Sequence, residues 1–195
     1  MPLLEHTYSL LIISSSEGFT TSFKNIIPKQ RFSKISVATN ETEARRNLAS
    51  DNFDLIIINS PLCGESAQRL AIDLGSNKTT VVLLCVKNDI QSEIYSAVSI
   101  HGILTVAKPI SRTIVLETID DMCAYHERLR RLAKKTTSLE TKMQEIRLVN
   151  RAKWLLIENE HMSEDEAHHY IEKYAMDHSL SKGEVAEIIK QKYGE

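Results

Sequence analysis

The chain has 195 residues, of which 42% are apolar and 26% charged, and a formal net charge of −2. That length fits one compact domain with a smaller appendage, and the composition supplies a core and excludes wholesale disorder. The slightly acidic balance gives no general electrostatic ground for nucleic-acid binding, so any such contact has to come from a local patch.

The first 110 residues alternate short Val-, Ile- and Leu-rich runs with amphipathic stretches. Strands are expected at 8–13, 34–37, 55–58, 80–86 and 103–106, each a run that reads as buried on both faces. Helices are expected between them at about 17–27, 41–51, 65–74 and 90–99, with Asn40 and Glu43 as the capping pair of the second. Strictly alternating βα units with right-handed crossovers give a doubly wound five-stranded parallel sheet of flavodoxin-like α/β type. The carboxyl ends of its strands are then the site-bearing edge, which places any chemistry at residues 14–16, Asn59, 85–87 and Lys108.

After Pro109 the chain has no further proline and reads as helical throughout. Between His126 and Lys142 it is strongly basic, a pattern that fits a solvated helix face. Written as heptads, one seam position takes Val115, Met122, Leu129, Thr136, Met143 and Asn150. Its partner takes Thr118, Tyr125, Leu132, Leu139, Ile146 and Lys153. A helix over 112–159 would be about 70 Å long at 1.5 Å per residue, longer than a small sheet domain can cover. Its apolar stripe (Met122, Tyr125, Leu129, Leu132, Leu139, Met143 and Ile146) is therefore expected to dimerise as a parallel coiled coil.

From Val149 a second stripe begins with Ala152, Leu155 and Leu156. Ser163 with Glu166, and Ser181 with Glu184, are capping boxes that open helices at about 164–177 and 182–192. Ala167, Ile171, Tyr174 and Ala175 face inward on the first, and Val185, Ala186, Ile188 and Ile189 on the second, completing a three-helix unit. The domain reading is a sheet domain over 1–110, a dimerisation helix over 111–146 and a three-helix domain over 139–195.

Cys63, Cys85 and Cys123 lack metal-ligand spacing and lie among apolar neighbours, so buried free thiols are expected. His168 and His169 are adjacent rather than four apart, which argues against a metal pair; neither metal nor cofactor is expected. No run approaches the roughly 18 uncharged apolar residues of a membrane span. MPLLEHTYSLLII lacks the basic flank and cleavage site of a signal peptide, so a cytoplasmic protein off the membrane is expected.

Over roughly residues 6–125 the sequence resembles the receiver domain of two-component response regulators. The resemblance lies in the five βα units, in DLIIINSPL at 54–62 and in Lys108-Pro109 after the fifth strand. A receiver holds Mg²⁺ on an acidic pair after its first strand and takes a phosphoryl group on an aspartate at its third, because a hard cation wants carboxylate oxygens and the transfer needs an anionic nucleophile. Here those positions carry Ser14, Ser15 and Asn59, the usual Thr or Ser is Cys85, and the aromatic switch position is Thr105. Of the reactive set lining the former pocket only Lys108 remains, which implies a pseudo-receiver with no phosphoacceptor and no catalytic residue. Lys108 is expected to hydrogen-bond across the pocket to Asn59 or the serines.

The tail resembles the ANTAR domain, the RNA-binding module of bacterial transcription antiterminators. The matching residues are RLVNRAK at 147–153, Leu155-Leu156, MSEDEA at 162–167, YAMD at 174–177 and EVAEII at 184–189. This resemblance implies a non-enzymatic regulator that dimerises and binds paired RNA stem-loops in nascent leader transcripts. By analogy with relatives held inactive by a sensor, it also implies a regulatory sensor protein as partner. RNA loops are read by stacking and by phosphate contacts, which makes Arg147, Arg151, Lys153, Tyr170, Lys173, His178 and Lys182 the candidates. Arg151 and Lys153 match the family's RAK motif, and both are expected to be exposed; Trp154 stands where the family commonly has a small residue. Residues 141–195 carry eight basic and eleven acidic side chains. That acidic balance keeps open an alternative in which the terminal helices dock a protein partner in a signalling scaffold.

Overall fold

The computed structural model describes residues 7–62, 66–77 and 79–194. The chain divides into two compact units, Met1–Ala133 and Lys134–Glu195.

In the first unit five strands, β1 (Tyr8–Ile13), β2 (Phe32–Ala38), β3 (Leu55–Asn59), β4 (Val81–Lys87) and β5 (Leu104–Lys108), form a parallel sheet in the order β2-β1-β3-β4-β5. The helices between them are α1 (Glu17–Ile26), α2 (Glu41–Ser50), α3 (Ala67–Gly75) and α4 (Gln91–Val98). Ser16, Asn40 and Ser66 cap α1, α2 and α3 by accepting from the backbone N–H three residues on. The Glu43 carboxylate reaches back to the backbone N–H and hydroxyl of Thr39 at 2.8 Å each, one residue beyond the cap. The residues before Ser66 that the sequence assigns to the third helix lie outside the described residues, as does Cys63.

A central parallel strand is covered on both faces, which is why LLII of β1, LIII of β3 and VVLLCV of β4 are almost uninterrupted apolar runs. Leu11, Ile13, Ile56, Ile58, Val82 and Leu84 meet Ala44, Leu70, Ala71 and Val98 on one side. Leu10, Ile12, Leu55, Ile57, Leu83 and Cys85 meet Phe23, Val115, Ile119, Met122 and Cys123 on the other.

The last four residues correct the seam expected for the long helix, α5 (Arg112–Glu160). Met122 is 0% exposed in the sheet core and so not available to a second chain, and Leu129 packs, partly buried, against the same cluster. Heptad spacing and the stripe that covers a sheet repeat alike over this length, and the sheet face was left without its fifth helix by the coiled-coil assignment. Tyr125 and Leu132 remain exposed. His126 pins this part of α5: its Nδ1 donates to the Thr79 carbonyl at 2.9 Å, and its Nε2 lies 3.4 Å from Asp54 Oδ1.

In the second unit, the rest of α5 packs with α6 (Glu164–His178) and α7 (Lys182–Tyr193) around Ala152, Leu155, Leu156, Ala167, Ile171, Ala175, Val185, Ala186 and Ile189. Ser163 and Ser181 open α6 and α7 as full capping boxes, each hydroxyl accepting from the Glu three residues on and each Glu accepting from the serine N–H. Ile188, expected to face inward, is instead exposed, because Val185, Ala186 and Ile189 already fill the inward positions of a helix of this short turn count. Leu139, Met143 and Ile146 are 52% to 60% exposed, an apolar row with no partner among the described residues of this unit.

Candidate functional site

Two places concentrate polar groups that a fold of this kind presents outward. The first is the carboxyl edge of the sheet. β3 ends on Asn59, whose register partner on β4 is Cys85, and β5 ends on Lys108. Lys108 Nζ donates to Asn59 Oδ1 at 2.8 Å and also to the Ser60 carbonyl. Asn59 Nδ2 donates to Ser14 Oγ at 3.0 Å, and the Ser14 hydroxyl in turn donates to the Ser16 carbonyl. The buried amide is thus satisfied on both its oxygen and its nitrogen. Burial lowers the Lys108 pKa, and it pushes the Cys85 thiol up to about 12, so Cys85 is a small core side chain and no nucleophile.

Ser15 is exposed, with its hydroxyl 3.4 Å from the Pro61 carbonyl. Thr105 does not join the group. Its neighbours Leu104 and Val106 pack in the cluster that holds Cys85, so strand alternation turns Thr105 to the opposite face. The residues at this edge do not fit a divalent cation. The Lys108 ammonium already occupies the space beside Asn59, and serine hydroxyls and one amide bring no anionic oxygen to it. Among the described residues no group of His, Cys, Asp and Glu is placed to hold a metal.

The second place is the surface of the terminal unit. Arg147 and Arg151 are exposed, four residues apart on α5, and neither has an ion-pair partner among the described residues. Lys153 differs from the expectation of exposure. Its side chain is only 16% exposed, and Nζ donates to Glu164 Oε1 at 2.9 Å. Lys153 sits on the flank of α5, where its ammonium reaches Glu164 at the start of α6.

Tyr170 is at the surface above a cleft of about 460 Å³ lined by His161, Met162, Glu166, His169 and Lys173, and its ring lies 6.1 Å from that of Tyr174. Lys173 is exposed beside it. His178 is engaged locally, stacked on Tyr174 at 4.0 Å between centroids and bonded through Nδ1 to the Tyr174 carbonyl. Lys182 is paired with Glu172 at 2.6 Å. Of the seven candidates, Arg147, Arg151, Tyr170 and Lys173 are therefore free to meet a ligand as they stand, whereas Lys153, His178 and Lys182 have first to exchange a bond.

Asn150 and Trp154 complete the Arg147 and Arg151 face and were not among the candidates. The spacing 147, 150, 151, 154 follows one helical face and is visible in the sequence once the apolar stripe is set on the opposite side.

The first unit has the fold of response-regulator receivers. It is similar to the signal receiver domain of an HD domain-containing protein from Pseudomonas fluorescens Pf-5, at 17% identity and a TM-score of 0.59, covering 67% of this chain and 97% of that one. It is also similar to a CheY-like response regulator receiver domain protein from Methanospirillum hungatei JF-1, at 16% identity and a TM-score of 0.56, covering 63% and 98%. An adenylate cyclase from Rhodopirellula baltica matches at 14% identity and a TM-score of 0.58, covering 69% and 98%. At these identities the likeness is one of fold. Comparison with curated protein sequences gave no match.

Residues 137–189 match the ANTAR domain model. The chain thus combines a receiver-type fold with a following segment that matches the ANTAR domain. Among the described residues no helix is long and apolar enough to cross a membrane.

Proposed function

We propose that this protein is a transcription antitermination regulator that pairs through α5 and grips RNA stem-loops with its ANTAR domain, without aspartyl phosphorylation. The observation that carries the reading is the pair of exposed guanidinium groups, Arg147 and Arg151, on one helical face inside the ANTAR match and without an ion-pair partner among the described residues. Planar guanidinium groups suit both phosphate oxygens and the faces of unstacked loop bases.

Two further features support the rest of the proposal. The exposed row of Leu139, Met143 and Ile146 suits a second copy, whose matching row would bury all three side chains on both chains. Asn59 lacks the charge of a phosphoryl acceptor, and its amide is engaged on the oxygen by Lys108 and on the nitrogen by Ser14. Control then falls to a partner such as a sensor protein, which acts by covering the paired helices or the sheet edge.

The test is binding of a stem-loop RNA, selected by the full chain from a pool with a fixed stem and a randomised apical loop, across a salt series. Arg151→Ala is expected to weaken binding and to reduce the slope of log K against log salt by roughly 0.7 to 0.9, the value of one phosphate contact. An unchanged affinity and slope would remove Arg151 from the interface. Failure to select any stem-loop would overturn the RNA-binding reading itself.

A further inference from the structure

Trp154 is the chain's single tryptophan, and it is 61% exposed on α5. Tryptophan is usually well buried, and here the hydrophobic core of the three-helix unit is complete without it. Its indole forms one wall of a cleft of about 440 Å³ whose other lining residues are Asn150, Lys153, Ile157 and Glu164. That volume is within the range of sites that hold small molecules. The rim is polar: the Lys153–Glu164 pair closes one side, and Asn150 brings a carboxamide one turn before the indole. Arg147 and Arg151 stand on the same helical face, seven and three residues before Trp154.

We infer that the cleft beside Trp154 takes up one unpaired RNA loop base, stacked on the indole and read by the Asn150 carboxamide, while Arg147 and Arg151 hold the adjoining phosphates. The inference rests on the RNA-binding reading above and deepens it by assigning the residue that engages a base. The groups present are those that single-stranded recognition calls for. An aromatic face stacks on any base, an amide offers a donor and an acceptor to a base edge, and guanidinium groups neutralise the backbone.

The charge of the face decides against a second copy of the chain as occupant. Joining this surface to its twin would bring four guanidinium groups together around the two indoles, a like-charge arrangement that phosphates relieve and another Arg147 and Arg151 aggravate. A protein partner that prefers an apolar anchor finds only Ile157 beside the ring.

Because Trp154 is the sole indole, its emission reports this site alone. The experiment adds the selected stem-loop RNA, or the same stem closed as a duplex without a loop, to the full chain and follows tryptophan emission, acrylamide quenching and affinity. The loop-bearing RNA is expected to quench the indole and shield it from acrylamide, and the duplex to do neither. Trp154→Ala is expected to weaken loop binding roughly 5- to 150-fold, the cost of one lost stacking contact, with Trp154→Phe restoring most of it. Asn150→Ala is expected to relax the preference for one loop position while leaving the rest of the selected sequence unchanged.

An unaltered melting curve for Trp154→Ala, whose side chain is outside the core, separates loss of contact from loss of fold. Tight binding by Trp154→Ala, or an indole still open to acrylamide in the saturated complex, would overturn this inference and leave the RNA-binding reading intact. An indole shielded without RNA in a concentration-dependent manner would assign the face to a second copy and overturn it as well. Failure to select any stem-loop would overturn both.

Discussion

Truncating Met122 to alanine separates the two roles that one helix, α5, carries. Met122 is 0% exposed among Val115, Ile119 and Cys123 against the sheet. Removing its three outer non-hydrogen atoms forfeits about 0.8 kcal/mol of transfer free energy per methylene-sized group. The unfilled cavity brings the total to about 2 to 5 kcal/mol for a fully buried side chain. At about 2 to 4 °C per kcal/mol for a chain of this length, the melting temperature should fall by roughly 4 to 20 °C.

Leu139 is half exposed in the other unit, so Leu139→Ala should change the stability of the single chain by no more than about 0.5 kcal/mol while weakening self-association. Thermal denaturation followed by circular dichroism, paired with sedimentation equilibrium at the same concentrations, reads both effects. A Met122→Ala chain that melts like wild type but dissociates would refute the reasoning and return Met122 to a seam between chains.

Asn59→Asp alone should take up no acid-labile label from radioactive acetyl phosphate, because Ser14 and Ser15 still supply no carboxylate for a cation; stable labelling would show that the edge needs only one acid. Ser163→Ala removes the hydroxyl that accepts from the Glu166 N–H and should cost the terminal unit about 1 kcal/mol, read by denaturant titration. Hydrogen bonds from the Ser163 and Ser181 backbone N–H groups hold the Glu166 and Glu184 carboxyls below their ordinary 4.5. Their contribution is therefore fully present above pH 4.5 and lost as the pH falls through the lowered folded values, so the helical signal of this unit should weaken with acid and recover on neutralisation. Cys85 and Cys123, with thiols raised to about 12 and about 11 by burial, should resist iodoacetamide in the native chain at neutral pH and react in urea, as peptide mapping would show.

The sheet was legible because a doubly covered parallel strand leaves a signature that needs no partner to read. The runs at β1, β3 and β4 are apolar on consecutive positions, and the serine-glutamate pairs at 163 and 181 carry their cap chemistry within three residues. The α5 stripe was less legible, since Val115, Met122 and Leu129 have the spacing of a coiled-coil seam whether a sheet or another helix covers them. What covers a stripe is a fact of tertiary structure.

The same holds for charged groups. Nothing in RAK says that Lys153 turns to Glu164 eleven residues on, while Arg151 two residues before it stays in solvent. Trp154 was ambiguous for a related reason, because an aromatic beside an apolar stripe is buried or displayed according to how the neighbouring helices cross. The uncharged residues at the strand ends, Ser14, Ser15 and Asn59, could in contrast be read directly, since their chemistry does not depend on packing.

The most direct measurement compares the affinity of the full chain for a single selected stem-loop with its affinity for two copies of that stem-loop joined in tandem. A paired regulator with one RNA-binding unit per chain is expected to hold the tandem RNA about 100-fold more tightly or better, through effective concentration, with the gain lost in Leu139→Ala. Equal affinities for the single and tandem RNAs would contradict the account.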